Sequence, residues 1–254
     1  MHETLEFPDL LRLIDERSTA FRVAVAAAPS LDVRVPTCPG WTLSDLARHL
    51  GEGRRRWAAT VAAGPADTRP AAAGGDPPRG REELLVWLAD STRHLLDALR
   101  EAGPDRGCWT GWGTSQSPRT SGAVARHQVQ EIAVHTYDAQ LTAGAARPLP
   151  DEVALDGVDE FLFTCCATTS AWPHEPATVV YHATEGRSWS LRLSADGARA
   201  ARLAAPAADA ADVSVRATAG ELVLAMYGRS PVDSLELAGD RRVLDRLIAW
   251  DPGE

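Results

Sequence analysis

The feature that most constrains the fold of this 254-residue chain is a change of hydrophobic periodicity between residues 143 and 151. Before this point, apolar residues recur at helical spacing, and after it several short runs alternate as in β-strands. The pattern predicts helices in the first part and a mixture of strands and helices in the second. We place the boundary near residues 144–150, which predicts domains at residues 1–147 and 148–254.

The first part contains four segments with an apolar stripe of helical period. Thr42 followed three residues later by Asp45 resembles a capping box, which predicts that the second helix begins there. Segment 64–80 is rich in Pro, Gly and Ala, and segment 103–118 is rich in Gly, Pro, Ser and Thr; both are expected to be loops. Four helices of this length predict a four-helix bundle. They are expected at about residues 8–28, 43–61, 84–99 and 121–143.

The second part is predicted to be a small α+β domain. Residues 179–184 and 188–193 flank Glu185-Gly186-Arg187, a pattern typical of a β-hairpin. One helix is expected over residues 151–170. The remaining predictions are strands at 213–217 and 234–237 and helices at 220–227 and 241–250.

Charge and hydropathy exclude several classes of function. The net charge of −9 disfavours binding to a phosphate backbone, so we expect no nucleic-acid partner. The triplet Arg54-Arg55-Arg56 is interpreted as a solvated helix face. The chain has no run of about 18 apolar residues, which argues against a membrane span. Its polar, acidic start does not resemble a signal peptide, so a cytoplasmic location is expected.

A column of polar side chains on the predicted fourth helix carries the strongest chemical signal. His127, Glu131, His135 and Asp138 are spaced by four, four and three residues and therefore share one helical face. A histidine and a carboxylate one turn apart can reach the same divalent cation, and this donor set suits zinc. Because two ligands from one helix cannot complete a site, a third is expected from a facing helix, where His49 is the natural candidate.

Simpler interpretations of these residues remain open at this point. A helical face of His, Glu and Asp is most often solvated, and a single histidine such as His49 is usually structural. His127 and Asp138 could be substrate-facing, support a ligand or be exposed. Cys38 precedes Pro39-Gly40 and could be a nucleophile, although packing in the interior is the simpler role.

Two motifs resemble those of the mycothiol-dependent maleylpyruvate isomerase family. They are VPTCPGWTLSDLARHL at residues 35–50 and RHQVQEIAVHTYDA at residues 126–139. The resemblance implies a DinB-like four-helix bundle followed by a small α+β domain similar to sterol-carrier proteins. It also implies a divalent metal, usually zinc, held by His49, Glu131 and His135, and mycothiol as the thiol cosubstrate.

Two arginines are further expectations from this resemblance. Arg229 lies in a segment, residues 226–231, that resembles a turn of the family's C-terminal domain, and it is the expected catalytic residue. Arg126 stands beside the second motif and is the expected cofactor-binding residue. The implied function is activation of mycothiol as a thiolate for isomerisation or S-transfer on a small electrophilic substrate. The alternatives are a metal-dependent hydrolase that uses metal-bound water and a non-catalytic protein that binds a small ligand.

Overall fold

Four long helices and a five-stranded sheet account for most of the computed structural model, which describes residues 4–71, 76–204 and 211–250. Part of the predicted loop 64–80 therefore lies outside the described residues. One compact unit comprises the described residues up to Gly111 together with Pro118–Leu149. The other comprises Trp112–Ser117 and the described residues from Pro150 onward. The predicted fold class, a four-helix bundle followed by a small α+β domain, is confirmed.

The first unit is the helical bundle. Apolar side chains from all four helices form its core, among them Phe21, Leu46, Leu88 and Ile132, each at most 1% exposed. Helix α1 packs against α3 and α4, and α2 packs against the same two helices. The bounds are α1 Phe7–Ala27, α2 Leu43–Ala63, α3 Arg81–Ala102 and α4 Ser121–Thr142.

A tight turn and a capping box fix where α2 begins. The Trp41 amide donates to the Cys38 carbonyl, and Gly40 takes φ +84°, with Pro39 before it, the pattern of a type II turn. The Thr42 hydroxyl then accepts from the Asp45 amide, while the Asp45 carboxylate accepts from the Thr42 amide. This confirms the predicted start of the helix. It also fixes the side of α2 on which each later residue of the helix lies.

The interpretation of Arg54-Arg55-Arg56 as one solvated helix face is wrong. Consecutive residues on a helix point about 100° apart, so the three side chains enter different environments. Arg54 is only 2% exposed and donates to Thr92 on α3. Its desolvation lowers its pKa to about 9. Arg56 is exposed, whereas Arg55 is half-buried and donates from Nε to the Ser91 hydroxyl of α3 at 2.8 Å.

The second unit is a mixed sheet with three α-helices. Its strands lie in the order β3-β2-β1-β4-β5, and only the β1–β4 pair is parallel among the pairs described. The strands are β1 Ala177–Ala183, β2 Ser188–Ser194, β3 Gly197–Leu203, β4 Val213–Ala217 and β5 Glu236–Gly239. The helices are α5 Asp151–Glu160, α6 Ala219–Met226 and α7 Arg241–Ala249.

The structure confirms part of the predicted pattern in this unit and corrects the rest. The predicted hairpin is present as β1 and β2, with Tyr181 paired to Trp189. The predicted helix over 151–170 is α-helical to Glu160 and π-helical over Phe161–Cys166, and the prediction is wrong only beyond Cys166, where the helix ends. Strand β3 was not predicted, since its sequence GARAARL lacks alternating large apolar residues and its ladder is made with β2. Among the described residues, no helix has both the length and the apolarity required to span a bilayer.

Candidate metal centre

His49, Glu131 and His135 converge where α2 and α4 meet, although 82 residues separate the first two along the chain, and the side chains of His49 and Glu131 are half-buried. His49 comes from α2, and the other two come from adjacent turns of α4. His49 Nε2 lies 2.8 Å from Glu131 Oε1, and His135 Nε2 lies 3.6 Å from the same oxygen. The three donor atoms all lie within 4.8 Å of one another. The structure thus brings the three sequence-predicted metal ligands together.

These distances suit a single small cation. Zinc takes nitrogen and oxygen ligands at about 2.0–2.2 Å, so two ligands of one tetrahedral ion lie about 3.4 Å apart. The two separations to the Glu131 oxygen fall on either side of that value. Nitrogen and carboxylate oxygen are also the donors that zinc prefers. The residues present therefore fit a divalent metal of this kind.

The Glu131 carboxylate is held in its ionised form. Its burial favours the neutral acid, but a hydrogen bond donated by His49 and the positive potential of His135, His127 and His49 outweigh this cost. Together they lower the pKa of Glu131 to about 2. A carboxylate must be deprotonated to bind a cation, and Glu131 meets this condition at neutral pH despite its burial.

A buried carboxylate supports His135 from behind. Asp138 is 0% exposed, and its Oδ2 lies 2.8 Å from His135 Nδ1. The Thr37 hydroxyl donates to Asp138 Oδ1 at 2.6 Å, and the Cys38 thiol donates to Oδ2 at 3.5 Å. A proton held at Nδ1 leaves the Nε2 lone pair facing Glu131, where a metal would bind.

Trp41, in the loop before α2, lies next to both histidines of the candidate centre. The Trp41 ring centroid lies 4.9 Å from that of His49 and 6.5 Å from that of His135. The two imidazoles meet edge to face at 5.3 Å. One indole ring thus packs against both histidines and restricts their rotation.

The other sequence-predicted site residues are not among the clustered donors. His127 is one turn before Glu131 and packs against Trp57 at 6.0 Å, beside a small cavity that also reaches His49 and Glu131. Arg126 is half-buried on α4 and does not belong to the described residues that line this cavity. Arg229 belongs to the second unit, where its guanidinium donates to the Tyr227 carbonyl at 2.7 Å.

Sequence reasoning missed the contacts that Thr37 and Cys38 make with the centre. Both residues belong to the turn before α2, and their partner Asp138 lies about 100 residues away on α4. The packing of Cys38 on a buried carboxylate supports the simpler of its two interpretations, that of an interior side chain. The only signal for these residues was their presence in the first motif.

Comparison with known proteins identifies both parts of the chain. Residues 11–140 match the family model described as Mycothiol maleylpyruvate isomerase N-terminal domain, and residues 152–246 match the one described as MDMPI C-terminal domain. A crystal structure of the mycothiol-dependent maleylpyruvate isomerase is similar, with a TM-score of 0.59 at 14% identity. The crystal structure of a histidine-to-alanine mutant of that isomerase is also similar, with a TM-score of 0.61 at 15% identity. Each comparison covers 92% of this chain and 93% of the other. No curated protein sequence matches.

Proposed function

This chain belongs to the mycothiol maleylpyruvate isomerase family, and from that premise we propose that it is a metal-dependent enzyme that uses mycothiol as cosubstrate. The observation that carries the proposal is the convergence of His49, Glu131 and His135 from two separate helices. Three protein ligands are the number typical of catalytic zinc sites, whereas structural sites take four.

In this proposal, His49 Nε2, a Glu131 oxygen and His135 Nε2 hold a divalent cation, with zinc favoured by the donor set. The bound cation supplies positive charge that favours the thiolate over the thiol form of mycothiol. The protein contributes fixed geometry. Asp138 holds the His135 ring in one tautomer and orientation, and Trp41 packs against both imidazoles.

The thiolate is the nucleophile of the proposed reaction, and a small electrophilic molecule is the substrate. Addition of sulfur to one carbon of a cis double bond turns that bond into a single bond, about which the molecule can rotate. Loss of the same sulfur as the thiolate then restores the double bond and gives the trans isomer. If the adduct keeps the sulfur, the reaction is an S-transfer. Both outcomes begin with the same activated thiol.

Arg229 and Arg126 stay predictions in this scheme. Guanidinium groups can bind carboxylates through two parallel hydrogen bonds, which suits Arg229 to an anionic substrate. Arg126 lies next to His127 at the start of the second motif and is proposed to contact mycothiol.

The second unit favours one alternative, that of a non-catalytic ligand-binding protein. It contains a cavity of about 390 Å³ lined largely by apolar side chains, including Tyr181, Leu222, Leu244 and Trp250. Such a cavity can hold an apolar ligand. In this alternative, ligand binding would survive the loss of the three proposed metal ligands.

Direct binding of the thiol tests the proposal. Cobalt-loaded protein is expected to gain a near-ultraviolet sulfur-to-cobalt absorption band when mycothiol is added, because the thiol sulfur would reach the metal. The S-methylated form of mycothiol is the matched control and should give no band. Cobalt-loaded protein whose spectrum does not change with mycothiol would contradict the proposal.

Substitution of Asp138 by asparagine is expected to weaken metal binding by about 10- to 100-fold, the effect typical of losing a carboxylate behind a ligating histidine. The amide can still occupy the space but no longer favours a proton on His135 Nδ1. Competition with a metal chelator measures the change. Asp45→Asn is the control, because Asp45 caps α2 and contacts no proposed ligand among the described residues. Equal affinities for the Asp138 variant and the parent would remove Asp138 from this role.

A further inference from the structure

A small cavity beside the candidate metal centre has a cationic lining. It measures about 100 Å³ and lies between α2, α4 and the segment that follows α2. His49 and Glu131 form part of its wall, so a molecule in the cavity would lie next to the metal. Its other lining residues are Leu50, Gly53, Arg56, Trp57, Thr60, Arg69, His127 and Gln128.

Aromatic rings hold Arg69 in place. Its guanidinium carbon lies 4.5 Å from the Trp109 ring centroid and 6.0 Å from that of Trp57. Stacking on an aromatic ring uses the flat face of the guanidinium and leaves its N–H groups at the edge able to donate. Within the described parts of the chain, no carboxylate lies within ion-pair distance of Arg69. The group is therefore oriented but not neutralised.

Arg56 adds a second positive charge to the same cavity. Of the three consecutive arginines on α2, Arg54 is buried and Arg55 contacts α3, whereas Arg56 lines the cavity. No carboxylate of the described residues pairs with Arg56 either. The chain as a whole has a net charge of −9, yet this cavity places two guanidinium groups against the single carboxylate of Glu131.

We propose that Arg56 and Arg69 form an anion subsite that binds a carboxylate of the substrate and places its reactive carbon beside the metal centre. This inference rests on the proposed function and assigns Arg56 and Arg69 to positioning of the substrate. A guanidinium group with unused donors can bind a carboxylate through two parallel hydrogen bonds. The cavity is far smaller than sites for drug-sized ligands, which span about 300–1,000 Å³. It therefore has room for only the carboxylate-bearing end of a substrate molecule.

The test measures binding of maleate to the zinc-loaded protein by isothermal titration calorimetry. Arg56→Gln and Arg69→Gln are each expected to weaken binding about tenfold or more, because each removes a hydrogen bond between charged groups. Arg69→Lys should give an intermediate affinity, since it keeps the charge and loses the planar fork. Arg55→Gln is the matched control: it removes the same charge from the neighbouring position, and its affinity should equal that of the parent.

Two outcomes would overturn the subsite. One is a parent protein that does not bind maleate, and the other is equal affinity in the parent and in both Arg→Gln variants. Dimethyl maleate, which has the same skeleton without charge, should not distinguish the proteins. Zinc content and mycothiol binding are measured on the same samples and should not change in the arginine variants. A parent protein that binds no zinc or no mycothiol would contradict the proposed function. The maleate affinities of the parent and its variants decide the subsite separately.

Discussion

Replacement of Glu131 by glutamine is expected to leave the purified protein without the proposed metal ion. Glu131 is the central donor, since its carboxylate oxygen lies 2.8 Å from His49 Nε2 and 3.6 Å from His135 Nε2. Glutamine keeps the size of the side chain and removes the negative charge that attracts the cation. The loss of affinity should exceed the roughly 10- to 100-fold effect of removing a supporting carboxylate. Turnover should fall to that of metal-free parent protein.

The matched control is His127→Ala on the same helix. His127 shares the column of Glu131 and His135 but packs against Trp57 and is not one of the clustered donors. Elemental analysis should find equal metal in this variant and in the parent. His135→Ala should behave like Glu131→Gln. Full metal content in both Glu131→Gln and His135→Ala would refute the assignment of these residues as ligands.

Omission of mycothiol is expected to abolish isomerisation of a small electrophilic test compound, with maleylpyruvate as the probe, by the metal-loaded protein. The proposed nucleophile is the sulfur of the cosubstrate, and the proposed scheme gives no other group this role. A cysteine-type thiol has a pKa of about 8.5, so little thiolate exists in neutral solution without a nearby cation. The rate of trans-isomer formation, measured with and without thiol, gives the dependence directly.

A blocked thiol provides the control for this experiment. S-methylated mycothiol should not restore activity, because its sulfur can no longer become a thiolate. A metal-dependent hydrolase would instead act on its substrate with no thiol present. Consumption of maleylpyruvate at the same rate with and without mycothiol would therefore contradict the thiol-dependent reaction.

The sequence predicted the bundle well because its signals are local. The apolar stripes and the Thr42–Asp45 capping box depend on residues within one or two turns of each other, and the structure contains both features. The convergence of His49 with α4 was expected only because facing helices of a bundle share an interior. The distances between His49 and the side chains of α4 could not be predicted from the spacing of these residues along the chain.

The features that escaped prediction depend on distant partners. Strand β3 forms through its ladder with β2 and has little strand character of its own. Asp138 receives hydrogen bonds from Thr37 and Cys38, about 100 residues away, so its burial was not visible in the helical column. The different environments of Arg54 and Arg56 depend on which neighbouring helix or cavity each one meets.

The most direct test of the account is anomalous diffraction at the zinc absorption edge from crystals of the zinc-loaded protein. We predict a single strong peak in the bundle, about 2.0–2.2 Å from His49 Nε2, a Glu131 oxygen and His135 Nε2. A peak held by other side chains, or no peak between these three, would contradict the account.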